Sequence, residues 1–108
     1  MWKFLLLVVA VSVACAAVPA LGQGKGTTHQ ISIVNGAFNP ASITIKVGDT
    51  ITWTNNDADH DHTVSGKAFS SGNLKHGASY SFTFTTAGTF DYSDGLHPRM
   101  KGKIVVQK

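Results

Sequence analysis

Three side chains near the C-terminus, Asp94, His97 and Met100, offer a carboxylate oxygen, an imidazole nitrogen and a thioether sulfur, each three residues from the next. These are metal-ligand types, and a tight loop between two paired strands can turn all three toward one small volume. Imidazole binds metals only when neutral, so affinity at such a site falls as the pH drops below about 6–6.5. Taken singly, the residues have plainer readings. Ser93-Asp94-Gly95 contains an Asp-Gly turn signal, and a lone Met packs in cores. Far upstream, Trp53-Thr54-Asn55-Asn56-Asp57-Ala58-Asp59-His60-Asp61-His62-Thr63-Val64 holds two further histidines, His60 and His62. His60, Asp59 and Asp61 read as a solvated polar loop, or as a loose second metal-binding patch. His29 and His76 read as surface residues.

The elements that must position these side chains read as β throughout. Ile31 and Ile33, then Ile43, Ile45 and Val47, then Ile51 and Trp53, repeat with a period of two. Tyr80, Phe82 and Phe84 alternate with Ser and Thr in the cleanest strand pattern, and are expected in the core with Trp53. Ala87-Gly88 turns into Thr89-Phe90-Asp91-Tyr92, and Ile104 to Val106 closes the chain as a last strand. Short alternating strands separated by Gly, Asn and Asp predict an antiparallel sandwich. Outside the N-terminal segment no stretch carries apolar residues at helical spacing. Asn55 to His62 and Lys67 to Gly77 are long polar loops, where function tends to concentrate.

The 108 residues leave room for one domain. Met1-Trp2-Lys3 followed by the apolar run Phe4 to Val13 reads as a secretory signal peptide over residues 1–20, too short for a membrane span. Cleavage is expected after Ala20, with Ala16, Ala17 and Gly22 as alternatives. Residues 21–28 read as a flexible leader, and 29–108 as the domain. The single cysteine, Cys15, falls in the signal segment, so the processed chain has neither a disulfide nor a thiolate. A lipoprotein anchored through Cys15 is disfavoured by Ser12 three residues before it. The net charge of +3 is mildly basic, and all six acidic residues are Asp. No Lys/Arg run suggests nucleic-acid binding, and nothing suggests a second membrane segment. Arg99, Lys101 and Lys103 read as a solvated edge, placed where an acidic partner could approach.

The segment Gly88 to Val106 resembles the last hairpin of the cupredoxins, the plastocyanin, amicyanin and pseudoazurin group of blue copper domains, which reads G-T-[YF]-x-Y-x-C-x-x-H-P-x-M-x-G-x-[IV]-V-V. Trp53 to Val64 resembles their W-x-N-x-D-x-x-x-H-T-V with one residue more between Asp57 and the histidine, and the following Thr63-Val64 assigns the first ligand histidine to His62 rather than His60. Phe69 to Phe84 resembles their F-x-S-G-x-L-x-x-G-x-S-[YF]-x-x-x-F. The resemblance runs from about Ile31 to Val106. It implies a Greek-key β-sandwich of about seven to eight strands, with copper held by His62, His97 and Met100. Asp94 stands where the family has its cysteine.

That replacement changes the chemistry the resemblance implies. Blue sites use two imidazoles, a thiolate and a weak axial Met. With a carboxylate in place of the thiolate the set becomes N2O, which suits Cu(II) in tetragonal geometry and also Zn(II). Such a site is expected to be pale, with slower electron transfer. The expected function is therefore that of a secreted or periplasmic copper protein. Electron transfer is implied by the resemblance, and copper binding, storage or delivery fits the residues at least as well. A redox or copper-handling protein is the expected partner, and the chain is expected to be a monomer and not an enzyme, since no second catalytic group accompanies the ligands. The alternative is a metal-free β-sandwich serving protein–protein contact, with a degenerate copper site.

Overall fold

The computed structural model describes residues 26–108. The expected signal peptide and Cys15 lie outside the described residues. Eight strands follow one another: β1 (Thr28–Val34), β2 (Ala37–Asn39), β3 (Ser42–Lys46), β4 (Thr50–Asn55), β5 (Ser65–Gly66), β6 (Ser79–Thr83), β7 (Gly88–Ser93) and β8 (Lys101–Gln107). They form two four-stranded sheets, ordered β2-β1-β4-β6 and β3-β8-β7-β5. The all-β sandwich expected from the alternation is what forms.

The alternation decides which face of each strand is buried. Ile31, Ile33, Ile51 and Trp53 of the first sheet and Ile104 of the second are at most 1% exposed. Complete burial of such a side chain stabilises by about 1.5–3 kcal/mol. Trp53 sits at the centre, with ring centroids 5.4 Å from Phe69, 5.8 Å from Tyr80 and 5.4 Å from Tyr92. The opposite face of β4 carries hydroxyls, which pair across to β6 as Thr50–Thr83, Thr52–Ser81 and Thr54–Ser79 at 2.7–2.8 Å.

Strand direction is not fixed by that pattern. Each sheet contains one parallel pair, β1 with β4 and β3 with β8, among otherwise antiparallel neighbours. Between β1 and β4 the chain leaves through β2, crosses to the other sheet as β3, and returns. A parallel pair needs such a crossover, because a tight turn can only join antiparallel neighbours. The turn from β1 to β2 is Asn35-Gly36, with φ of 53° and 70°. Positive φ at both central residues is the requirement of the two-residue hairpin turn that matches strand twist.

Two local features orient the sandwich. At the start of β4, Asp49 accepts hydrogen bonds from the backbone N–H of Thr27 (2.8 Å) and Lys46 (3.0 Å) and pairs with Nε2 of His29 (2.9 Å). His29, expected at the surface, is thus half-buried in a clip. In β8, a Cβ on Gly102 would collide with the Tyr92 ring, so that position requires glycine. At the far end of β4 from Asp49, the loops after Asn55 and between β7 and β8 leave the sandwich together.

Candidate metal centre

The end of β4 prepares the first loop. Asn55 continues the inward alternation and is fully buried. Its side-chain amide donates to the carbonyls of His60 (2.9 Å) and Leu74 (2.8 Å), and its side-chain oxygen accepts from the N–H of Asp57 (2.8 Å). The loop is thereby wound around one buried amide. His62 then exchanges both backbone hydrogen bonds with Leu74, at 3.1 and 2.7 Å. The second loop runs from Asp94, directly after β7, to Met100, directly before β8. It is closed by backbone bonds from Asp94 N to Met100 O (3.0 Å), Met100 N to His97 O (2.9 Å) and His97 N to Asp94 O (3.2 Å).

These loops bring three of the four expected ligands to one point. Asp94 Oδ2 lies 2.6 Å from Nδ1 of His62 and 3.0 Å from Nδ1 of His97. Ligand atoms of the three residues all lie within 4.8 Å of one another, and theirs is the His/Cys/Asp/Glu group with metal-site spacing among the described residues. Asp94 is fully buried, His62 is 1% exposed, and the His97 side chain is 41% exposed. Met100 is buried in the hydrophobic core cluster and joined to Asp94 and His97 through its backbone.

The other Asp94 oxygen, Oδ1, accepts from Thr63 N (2.9 Å), Leu96 N (2.9 Å) and Thr63 Oγ1 (3.2 Å). That leaves Oδ2 alone facing the two imidazoles. Both nitrogens of His62 meet carboxylates, because its Nε2 lies 3.0 Å from Asp57 Oδ2. Burial on its own would push the Asp94 carboxyl up, but the hydrogen bonds from His62, His97, Leu96 and Thr63 bring it down to about 2. Asp57 is likewise held below the usual carboxylate range, chiefly by its bond to His62. For His62, burial favours the neutral ring, yet the two carboxylates outweigh it and raise its proton affinity. A cation at Nδ1 would stand in place of the Nδ1 proton, while Asp57 continues to hold Nε2–H, the usual outer partner of a ligating histidine. Two Nδ1 atoms and one carboxylate oxygen converging on a buried point suit Cu(II) or Zn(II).

Sequence reasoning gave no role to Asn55 or Asp57. The signal was present in the Asn-x-Asp spacing at the end of an inward-alternating strand, but nothing in it says which side chain turns back toward His62. His60 is exposed, as expected for the loop, with Nδ1 3.7 Å from Asp57 Oδ1. Asp61 accepts a bond from Asn73 at 2.8 Å. Arg99, Lys101 and Lys103 are exposed.

A family profile described as a cupredoxin-like domain matches residues 3–106. Among curated proteins, the chain is 40% identical over 83 residues to amicyanin of Paracoccus denitrificans, covering 71% of this chain and 63% of that protein. It is 33% identical over 102 residues to amicyanin-alpha of Methylorubrum extorquens, covering 89% of this chain and 86% of the other. Among solved structures, a purple cupredoxin from Nitrosopumilus maritimus superposes with a TM-score of 0.69 at 27% identity, covering 73% of this chain and 99% of that one.

Proposed function

We propose, from the premise that this chain belongs to the cupredoxin-like domain family, that it is an exported copper-binding protein whose ion is held by His62, Asp94 and His97, with Met100 beside them. The observation that carries this reading is the convergence of Nδ1 of His62 and Nδ1 of His97 on Asp94 Oδ2, at 2.6 and 3.0 Å in a buried setting. Export is supported by the apolar run Phe4 to Val13 behind Lys3.

Bound copper would supply a one-electron couple. The residues around it favour holding the ion over cycling it. Asp94 presents one hard oxygen, since its other oxygen is committed to Thr63 and Leu96. Cu(II) accepts that oxygen, whereas Cu(I) prefers soft sulfur. Copper binding, storage or delivery therefore ranks ahead of fast electron transfer, with Zn(II) as a competing ion and a redox or copper-handling protein as the partner of a monomer. No catalytic role is proposed.

Titration of the chain with Cu(II) and Cu(I), with visible and electron paramagnetic resonance spectra of the Cu(II) form, tests the proposal. The expected result is tight binding, weak colour and wide copper hyperfine splitting. Binding no tighter than that of a His62→Ala/His97→Ala double variant would sink it. Narrow splitting with an intense visible band would show that the ligand set is wrong.

A second reading is a metal-free sandwich used for protein contact. It is favoured by the way Asp94 is fully hydrogen-bonded by protein groups alone. Thermal unfolding separates the two, because a ligand that binds only the native state must raise the melting temperature. Indifference to added copper would favour the metal-free reading.

A further inference from the structure

We infer that the loop leading into His62 carries a second, outer site for a divalent transition-metal ion, built on His60 and Asp57 and opening into the same surface pocket as the inner centre. This deepens the copper-binding reading and rests on it for its role, which is to capture the ion before it reaches His62, Asp94 and His97.

Four observations carry it. His60 Nδ1 lies 3.7 Å from Asp57 Oδ1, and two ligand atoms each about 2.0–2.1 Å from one ion sit slightly closer than that, so a small ring movement suffices. Asp57 splits its two oxygens: Oδ2 is bound to His62 Nε2, and Oδ1 faces His60. One carboxylate can therefore brace the inner histidine and serve an outer ion at the same time. The His60 side chain is 60% exposed, but its backbone carbonyl is tied to buried Asn55, so the imidazole is presented from an anchored segment. Finally, Asp57, Asp59, His60, His62 and His97 line a single open pocket of about 410 Å³. The His60 and His97 rings stand edge to face in it, with centroids 5.8 Å apart.

The donor set is one imidazole and one carboxylate with Asp59 nearby, completed by water. It suits Cu(II) and Zn(II) and offers nothing soft to Cu(I). With fewer protein ligands and more solvent than the inner centre, the outer site binds more weakly, as a capture site must if it is to pass the ion on.

Calorimetric titration of the full chain with Cu(II), and separately with Zn(II), tests the inference, with paramagnetic resonance on the Cu(II) series. The wild type is expected to take two ions, the second at least tenfold weaker. His60→Ala is expected to take one, with the spectrum of the first ion and the melting temperature of the metal-free protein unchanged. The His62→Ala/His97→Ala variant is expected to keep only the weak ion. A wild type that binds one ion, or a His60→Ala variant that still binds two, overturns the outer site. If the double variant keeps both ions while His60→Ala loses one, the inner reading fails and the outer site stands.

Discussion

At Asp94 a single side chain decides which donor atom stands between the two imidazoles, and on the proposed copper-binding reading that atom sets the copper chemistry. Its carboxylate sits where both imidazoles already point, and its backbone N–H is fixed by Met100 O. The surrounding geometry is thus ready for another donor at the same position. Asp94→Cys is expected to turn the Cu(II) protein from pale to intensely coloured, with narrowed hyperfine splitting, since a thiolate completes the two-imidazole plane. Unchanged spectra would mean that Asp94 does not face the ion. Asp57 works on the other side of His62. Because the carboxylates raise the folded His62 pKa, its contribution to the metal-free protein is fully present below about 6.5 and is lost as the pH rises through the folded value. Metal-free protein should therefore lose stability as the pH rises above about 6.5. Asp57→Asn should shrink that loss, measured by chemical denaturation across a pH series, and weaken metal binding about 10–100-fold. An identical pH slope in the variant would refute the pairing.

Among the elements, β4 does most to couple core and site. Its inward residues Ile51 and Trp53 anchor it, and the next inward position, Asn55, turns the same burial into loop control. Asn55→Ala would take the side-chain donor from the His60 carbonyl and the acceptor from the Asp57 N–H, while the Leu74 carbonyl keeps the His62 N–H, a loss of about 1–3 kcal/mol for each group left buried and unsatisfied. The expected outcome is a destabilised protein whose metal affinity falls although no ligand has changed. Wild-type affinity in the variant would show that the loop holds its shape without Asn55. How far such a feature can be read in advance differs from residue to residue. The alternation in Ile51-Thr52-Trp53 announces a strand, and it places Asn55 on the buried face. It cannot announce that the amide will meet Leu74, because that contact spans 19 residues and depends on how the Lys67–Gly77 loop folds back. The three-residue β2 and two-residue β5 were equally illegible, being too short to show a period.

Across the whole molecule, depressed carboxylates make acid the natural denaturant. Asp49 is held at about 2, first by its hydrogen bond with His29 and then by the N–H groups of Lys46 and Thr27, and Asp94 is held at a similar value. A folded pKa below the unfolded value means that the unfolded chain binds protons first. The stabilisation is present above an ordinary value near 3.8 and is lost as the pH falls through about 2. Asp49→Asn should flatten the fall in stability between pH 4 and 2 without altering the metal site, which lies at the opposite end of β4. Acid unfolding followed by fluorescence of the buried Trp53 reads this directly, and an unchanged slope would refute the clip.

The period of two specifies the class of fold, and the types of Asp94, His97, Met100 and the histidine before Thr63-Val64 specify the candidate ligand atoms. Both are local properties, since burial of alternate side chains and ligand type are written in the residues themselves. Which strands run parallel, that Asp94 turns one oxygen to both histidines and the other to Thr63 and Leu96, and that Asp57 closes on His62 from behind are settled in three dimensions. Those outcomes depend on where two loops far apart in the chain meet, and that is set by the packing of the two sheets.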